Sequence, residues 1–454
     1  MLLSLCPTAI WNAAWSLPRR NIIGCTTYTP SLYHSQHLHT QPKYHSTSPP
    51  RRKPKVSSSI QQPSNGIISI DSIMTIPPKP NLSPSSPTIK TRILIISDTH
   101  ATVPRTKEAH PAADTEDELN KPGGPISFPT GFRSPLPEAD VVLHCGDLSK
   151  RGRPDEMRKT FDMLRGLHAP LKLVIAGNHD LAFDDTHYSH DDSSDGSDDN
   201  AIKRNPKPKP MYMEALEIAK QAEVDGVKYL TEGTYSFDLA NGSRLRIYAS
   251  QYTPQYGYWA FQYQAGEHSF DIPSDVDVAM THGPPLGILD RTSGGDRAGC
   301  GTLFRALYRA RPKIHCFGHI HEDWGAQLVQ WKPEPSSSAP QSSWTVPKPW
   351  NSEPVISSAT VLDREHSRML YTLTPPPMSV ATNTTLIDME EHKHLLEWSK
   401  DRGCYIDLAD GENKIKEGEQ TLFVNASIMS VRYRPSQMPL VIDMDLPRAA
   451  ESNP

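Results

Sequence analysis

The chain has 454 residues, 43 of them proline, with 36% hydrophobic residues and a mean hydropathy of -0.54. Proline stands well above the roughly 5% of ordinary globular chains, which excludes a chain packed throughout and points to one sizeable domain carrying disordered segments. A net charge of -5 offers no basic surface for nucleic acid, and the six cysteines show neither zinc-finger nor CxxC spacing, so a disulfide scaffold or thiolate zinc site is excluded.

No run of about 18 apolar residues is present, so no transmembrane helix and no membrane partner are expected. A reducing, intracellular compartment fits the cysteine usage, in the first place the cytoplasm. The N-terminus qualifies this. No Asp or Glu precedes Asp71, and the apolar Met1–Leu17 stretch is followed by Arg19-Arg20 and many Ser, Thr and His residues. That is a transit-peptide composition, so mitochondrial import is the alternative to a plain leader. Met74 lies much nearer the folded part, which leaves open whether residues 1–73 belong to the mature chain. Residues 1–90, with the basic cluster Arg51–Lys55, are expected to form a disordered leader.

The first buried strand is Arg92–Ser97, running into Asp98. A second, Asp140–His144, runs into Gly146-Asp147. A helix over Glu156–Leu167 places Met157, Phe161 and Leu164 on one face. The strand Leu171–Ala176 runs into Gly177-Asn178 and completes a strand–helix–strand unit. Residues 184–210 break the pattern. Seven aspartates lie from Asp184 to Asp199. A calcium loop beginning at Asp191 would need Glu where Ile202 stands, so a solvated insertion is the expectation. Order resumes with a helix at Met213–Lys220 and strands near Tyr229, at Thr234–Leu239 and at Arg244–Ala249. The last two are joined by an Asn241-Gly242 hairpin turn. A strand at Asp275–Met280, a helix at Leu303–Arg309, and strands at Lys313–Phe317, Thr421–Ser427 and Pro439–Asp443 follow. The domain is thus expected over 91–445 with insertions near 101–136, 184–210 and 332–354, and a tail over 446–454.

Five segments place metal-binding side chains beside glycine or at strand ends: Asp98-Thr99-His100, Gly146-Asp147, Gly177-Asn178-His179-Asp180, Thr281-His282-Gly283 and Gly318-His319-Ile320-His321. Singly, each has a bland reading, such as a turn with a surface histidine or a satisfied core histidine. Jointly they describe a site built beyond the carboxyl ends of strands, where loops converge on a rigid sheet. Carboxylate, imidazole and amide oxygen together suit Mn, Fe, Ni or Zn. They are neither the thiolates of structural zinc nor the all-oxygen set of Ca or Mg. Because Asn178 and His179 are adjacent, their side chains diverge, one toward metal and one toward substrate. Asp180 is expected to orient the His179 ring.

In this order the five blocks resemble the calcineurin-like metallophosphoesterase superfamily. Thr281–Gly287, Gly318–Glu322 and Phe423–Ser427 look like its metallophosphoesterase-domain-containing subgroup. The resemblance covers roughly 92–443 outside the insertions. It implies an α/β (α+β) fold, a four-layer αββα sandwich of two mixed sheets with a dinuclear metal site at strand ends. It implies that Asp98, His100 and His321 hold one ion, Asp147 bridges, and Asn178, His282 and His319 hold the other. His179 would contact phosphate and assist the leaving group, with Asp180 beside it. Lys150 stands where the protein serine/threonine phosphatases have a second Asp and the purple acid phosphatases a Tyr. Asp180 stands where the family usually has Glu.

The function implied is hydrolysis of a small phosphodiester, of the cyclic-nucleotide type, by metal-activated hydroxide with two divalent or trivalent ions (Mn, Fe, Zn or Ni; Mn in vitro). The alternatives are a phosphomonoesterase or phosphoprotein phosphatase and, in another class, a catalytically weak nucleotide-binding regulatory protein. The implied partner is a small phosphoester; the sequence leaves the oligomeric state open.

Overall fold

The computed structural model describes residues 87–106, 131–186, 210–333, 361–372 and 402–450. Most of the expected leader, the acidic stretch 187–209, and the centres of the other two insertions (107–130 and 334–354) lie outside these residues.

Two sheets form the framework. The first has six strands in the order β13-β15-β1-β2-β3-β4: β1 (Thr88–Ile96), β2 (Val141–His144), β3 (Leu171–Val174), β4 (Val227–Tyr229), β13 (Cys404–Asp407) and β15 (Leu440–Pro447). The run β1 to β4 is parallel throughout, and β15 pairs antiparallel with β1. The second has seven strands in the order β12-β11-β14-β10-β9-β6-β5. These are β5 (Gly233–Asp238), β6 (Arg244–Ser250), β9 (Val278–Thr281), β10 (Ile314–Phe317), β11 (Gly325–Trp331), β12 (Leu362–Thr372) and β14 (Gln420–Asn425). Its centre, β6-β9-β10-β14, is parallel. A separate pair joins β7 (Thr253–Pro254) to β8 (Gln262–Tyr263).

Strand alternation separates the layers. Ile93 and Ile95 of β1 pack with Leu245, Ile247, Val278 and Val424 between the two sheets. Leu94 and Ile96, pointing the other way, meet helix α1 (Pro154–Arg165) through Met157, Phe161 and Leu164. They also meet α2 (Pro210–Gln221) through Ala215 and Ile218. On the far face of the second sheet, α3 (Gly301–Ala310) buries Leu303, Phe304 and Leu307 against Ala279, Phe317 and Phe423. Helix, sheet, sheet, helix is the expected αββα order. Each fully buried Leu or Phe in these layers contributes about 1.5–3 kcal/mol.

Local chemistry fixes the elements. Pro154 opens α1, where its missing N–H has no partner to lose. Glu156 folds back to accept from the N–H groups of Arg151 (2.9 Å) and Lys150 (3.2 Å), anchoring the loop before the helix. The β5–β6 hairpin turns as expected, with Gly242 at φ 87° and Asn241 Oδ1 accepting from Ser243 N at 3.0 Å. β1 begins at Thr88, inside the segment expected to be leader. No helix among the described residues is long and apolar enough to cross a membrane.

The carboxyl ends of the two parallel centres meet along one edge. Ser97, just past β1, bridges Ser427, just past β14, and the Ile428 N–H donates to Ser97 O at 2.9 Å. The five ligand-bearing segments leave their strands at this seam.

Candidate metal centre

Asp98 and His100 follow β1, Asp147 follows β2, Asn178 and His179 follow β3, His282 follows β9, and His319 and His321 follow β10. Asp98, His100 and His282 are fully buried. Ligand atoms of Asp98, His100 and His321 lie within 4.8 Å of one another, as do those of Asp98, Asp147 and His282, and those of His100, Asp147 and His179. Asn178 Oδ1 extends the cluster, 2.9 Å from His282 Nε2 and 2.8 Å from His319 Nδ1. All seven residues expected to hold metal are therefore drawn together, with His179 at their edge.

The backbone at this edge is strained. Asp98 (φ 53°), His100 (φ 44°), Asp147 (φ 55°) and His319 (φ 68°) all adopt the left-handed region. Asp and His tolerate it better than most residues, yet each such residue costs on the order of 1 kcal/mol. Hydrogen bonds hold the turns in place: Asp98 N–H to Gly146 O and His100 N–H to Asp147 O, both 2.9 Å. Across the seam, the His319 N–H donates to both Asp98 carboxylate oxygens at 3.1 Å. Asn425 Nδ2 donates to Ile320 O (2.8 Å) and Gln437 Nε2 to His321 O (2.8 Å), fixing the second histidine loop.

The adjoining glycines leave room for ligands of neighbouring strands. A Cβ on Gly146 would stand 2.5 Å from His282 Nδ1. On Gly177 it would collide with the Asp147 carboxylate, and on Gly318 with that of Asp98.

The donor chemistry fits cations. His282 Nδ1 meets Cys145 O at 2.8 Å and His100 Nδ1 meets Ser149 O at 3.0 Å. A carbonyl only accepts, so each Nδ1 carries the proton and each Nε2 turns its lone pair inward. The His282 lone pair then faces Asn178 Oδ1 at 2.9 Å and Asp147 Oδ1 at 3.3 Å. His100 Nε2 faces Asp147 Oδ2 at 3.5 Å and His321 Nε2 at 3.4 Å. Lone pairs aimed at oxygens repel unless a positive charge lies between them. Burial lowers His100 to about 4 and His319 to about 3, so both are neutral and competent as ligands. Burial opposes ionisation of Asp98, but the His321 hydrogen bond and the surrounding imidazoles hold it well below the usual carboxylate range. Burial likewise opposes ionisation of Asp147, and His282, His179 and His100 overcome it. Mixed carboxylate, imidazole and amide oxygen is a set for Mn, Fe, Zn or Ni.

The expected role of Asp180 is corrected. Its carboxylate does not orient the His179 ring. It accepts from the N–H groups of Leu148 (3.0 Å), Ser149 (2.8 Å) and Gly177 (2.8 Å) and from Ser149 Oγ (2.7 Å), tying the Asp147 loop to the Asn178 loop. Burial and then the neighbouring Asp147 push it up to about 6. The His179 ring is instead set by Lys150 O, 2.8 Å from Nδ1, and by Trp259, stacked on it at 4.0 Å between centroids and 24° between planes. Tyr433 stands edge-on to His100 (5.0 Å) and His321 (5.1 Å). Trp259 and Tyr433 lie in loops with no motif around them, and only the aromatic cluster Tyr256-Gly257-Tyr258-Trp259 was a signal. Two buried histidines also escaped attention. His144 Nε2 pairs with Thr99 Oγ1 and His315 Nε2 with Thr281 Oγ1, each at 2.9 Å.

The calcineurin-like phosphoesterase family model matches residues 91–323, which takes in every ligand segment and the whole His319–His321 loop. The chain belongs to the calcineurin-like phosphoesterase family. The family implies divalent metal ions, in agreement with the cluster. Among relatives, this chain is 31% identical over 261 residues to the metallophosphoesterase domain-containing protein 1 of Homo sapiens and of Mus musculus, covering 56% of this chain and 67% of theirs. It is 34% identical over 203 residues to a UPF0046 protein of Caenorhabditis elegans, covering 42% and 48%. It is 32% identical over 200 residues to a probable rhamnogalacturonate lyase C of Emericella nidulans, covering 43% of this chain but 16% of that protein. The chain thus spans about half of the UPF0046 relative, two thirds of the metallophosphoesterase domain-containing protein 1 and a small part of the third.

Proposed function

We propose that this chain is a metal-dependent phosphoesterase that hydrolyses a small phosphodiester of the cyclic-nucleotide type. The observation that carries the reading is the convergence of Asp98, His100, Asp147, His282 and His321 from both sheets, with ligand atoms of each trio within 4.8 Å and His179 beside them. In this reading Asp98, His100 and His321 hold one ion, Asn178, His282 and His319 the other, and Asp147 stands between. The ions, when bound, supply an activated water and neutralise charge on the phosphoryl group.

The chain's own groups do the rest. His179 lies beside the cluster with its Nδ1–H donating to Lys150 O, so Nε2 is the nitrogen left to exchange a proton with the departing oxygen. Its backbone N–H donates to Asp147 Oδ1 at 2.9 Å, which ties the residue to the Asp147 loop. Trp259 covers one face of the ring and limits its rotation. The aromatic surroundings, with Trp259 on His179 and the half-exposed Tyr433 against His100 and His321, favour a substrate with a flat group to stack, such as a nucleobase. Lys150, where protein phosphatases carry an Asp, favours a small diester over a phosphoprotein.

The test is turnover by the Mn²⁺-loaded protein of bis-p-nitrophenyl phosphate, p-nitrophenyl phosphate and a panel of cyclic nucleotides, before and after chelation. Diester turnover that vanishes with EDTA and returns with Mn²⁺ is expected. Preference for the monoester replaces this reading with a phosphomonoesterase. A fully loaded protein without turnover leaves a nucleotide-binding protein instead. In His179→Asn, metal content is expected to survive while kcat falls about 10²-fold or more, the scale of a lost general acid.

A further inference from the structure

A cavity of about 370 Å³ lies beside the candidate centre, between the loop after β3, the start of α2, β4 and the loop after β6. None of its lining residues is a candidate metal ligand. Its walls are aromatic: Tyr212, Tyr229, Tyr252 and Phe261. Its polar groups include the carboxylates of Asp184, Asp185 and Glu232, and no Lys, Arg or His lines it among the described residues.

Two acceptors there are open. Gln251 is 5% exposed and lines the cavity, yet its Oε1 has no hydrogen-bond partner. An acceptor buried in this way costs free energy until a donor reaches it. Glu232 is the second. Tyr248 OH (2.9 Å), Ser250 Oγ (2.8 Å) and His268 Nε2 (2.8 Å) all bond to its Oε1, and Oε2 receives no hydrogen bond from the described residues. Burial opposes ionisation of Glu232, but the His268 hydrogen bond and those of its neighbours hold it below the usual carboxylate range. Burial, reinforced by nearby carboxylates, raises Tyr212, Tyr229 and Tyr252. The phenols therefore stay neutral and present intact π-faces.

We propose that this cavity binds an organic ammonium cation bearing N–H groups. Its donors meet Gln251 Oε1 and Glu232 Oε2, and the aromatic walls enclose its alkyl body. Three features select this class. The Glu232 carboxylate, held ionised with Oε2 open, brings a negative charge beside the open Gln251 acceptor. Aromatic faces attract ammonium groups and cover methylenes. A bare Mg²⁺ or Ca²⁺ instead demands six or more oxygens in a tight shell, and these aromatic walls do not supply them. The proposal does not depend on phosphoester turnover. Its connection to the candidate centre is physical: the Phe261 N–H donates to Asp184 Oδ2 (2.9 Å), and the Ala260 N–H to Asn178 O (3.1 Å).

Saturation-transfer NMR on the full chain tests it, with n-butylammonium as probe, n-butanol as its uncharged counterpart and tetramethylammonium as a cation without N–H donors. Butylammonium is expected to bind at least tenfold more tightly than either comparison probe. Gln251→Met, which removes the open acceptor at similar volume, is expected to weaken it at least tenfold with an unchanged circular dichroism spectrum. Equal binding of butanol and butylammonium would reduce the cavity to an apolar void and overturn the proposal. Displacement of the probe by Ca²⁺ or Mn²⁺ at equal concentration would overturn it in favour of an inorganic ion. If Gln251→Met does not fold, the three-probe comparison on the natural chain decides alone.

Discussion

Gly318→Ala tests how the two sheets share one centre. A Cβ at this position would collide with the Asp98 carboxylate and Ser97 Oγ, and would sit 2.7 Å from Ser97 Cβ. These atoms belong to the other sheet, at the seam where Ser97 bridges Ser427. Nothing there is the free end of a flexible side chain, because Asp98 is fully buried and held by two hydrogen bonds from the His319 N–H. Relief requires the seam to open or Asp98 to turn away. Overpacking of this kind costs about 1–3 kcal/mol. Loss of charge-assisted bonds to Asp98 adds about 1.5–3 kcal/mol. The expected outcome is a loss of about 2.5–6 kcal/mol in unfolding free energy, measured by urea denaturation, and at least tenfold weaker metal binding, measured by metal titration with elemental analysis. Gly301→Ala is the control: at the start of α3, its Cβ would meet only Leu286 at 3.8 Å. There, a change within about 1 kcal/mol in the stabilising direction is expected, as alanine favours helix. A Gly318→Ala protein with full stability and unchanged metal binding would refute both the seam and the placing of Asp98 within it.

Two further outcomes follow from residues outside the motifs. Trp259→Ala removes the face that limits His179, an interaction of about 0.5–1.5 kcal/mol, so kcat should fall about 3–10-fold at unchanged metal content, with Trp259→Phe recovering most of it; equal kcat in all three proteins would remove Trp259 from the positioning of His179. Burial depresses His144 and His315 from the ordinary 6.5 to about 3, so below pH 6.5 the unfolded chain takes up protons that the fold refuses, and stability is lost as pH falls toward 3. At about 1.4 kcal/mol per pH unit, each histidine should account for about 2 kcal/mol of the loss between pH 6.5 and 5, measured by urea unfolding in EDTA. His144→Gln and His315→Gln should each flatten that loss, and an unchanged slope would show that these rings are already protonated or hydrated in the fold.

Much of the centre was legible because each ligand sits at the end of a short apolar run, and a run plus a polar tip is visible in one sequence. The glycines were legible as markers, but their physical roles differ from one to the next. Gly146 does take φ 99°, yet at Gly177 and Gly318 the need is space for a carboxylate arriving from another strand, and the left-handed backbone falls on the candidate ligands Asp98, His100, Asp147 and His319. Contacts between distant loops left no trace. Asp180 reads as the partner of its neighbour His179, but its carboxylate turns back to the Asp147 loop. Trp259 reaches His179 from a loop without period or motif. The strands β11, β12 and β13 were missed for separate reasons. β13, Cys404-Tyr-Ile-Asp407, lacks the buried apolar run that marks the equally short β2 and β3, and β12 is a largely exposed edge strand rich in charge. β11 follows the histidine loop directly, after only a short 3₁₀ turn at His321–Asp323.

The matched pairs Thr99–His144 and Thr281–His315 explain how two sheets of different strand order deliver ligands to one point. In each sheet a threonine at or just past a strand end bonds a histidine on the next parallel strand, and that strand ends in a candidate ligand beyond a glycine: Asp147 after Gly146, and His319 after Gly318. The bond sets the register of the two loop starts, because a threonine hydroxyl reaches the imidazole only when the adjacent strand ends are level. Each histidine has its Nδ1 buried without a hydrogen-bond partner, a cost of about 1–3 kcal/mol apiece. An apolar residue would avoid that cost but could not bond the threonine. The position of the six candidate ligands on these four loops, Asp98, His100, Asp147, His282, His319 and His321, therefore depends on two polar bonds beneath them, which the core tolerates because burial keeps both rings neutral.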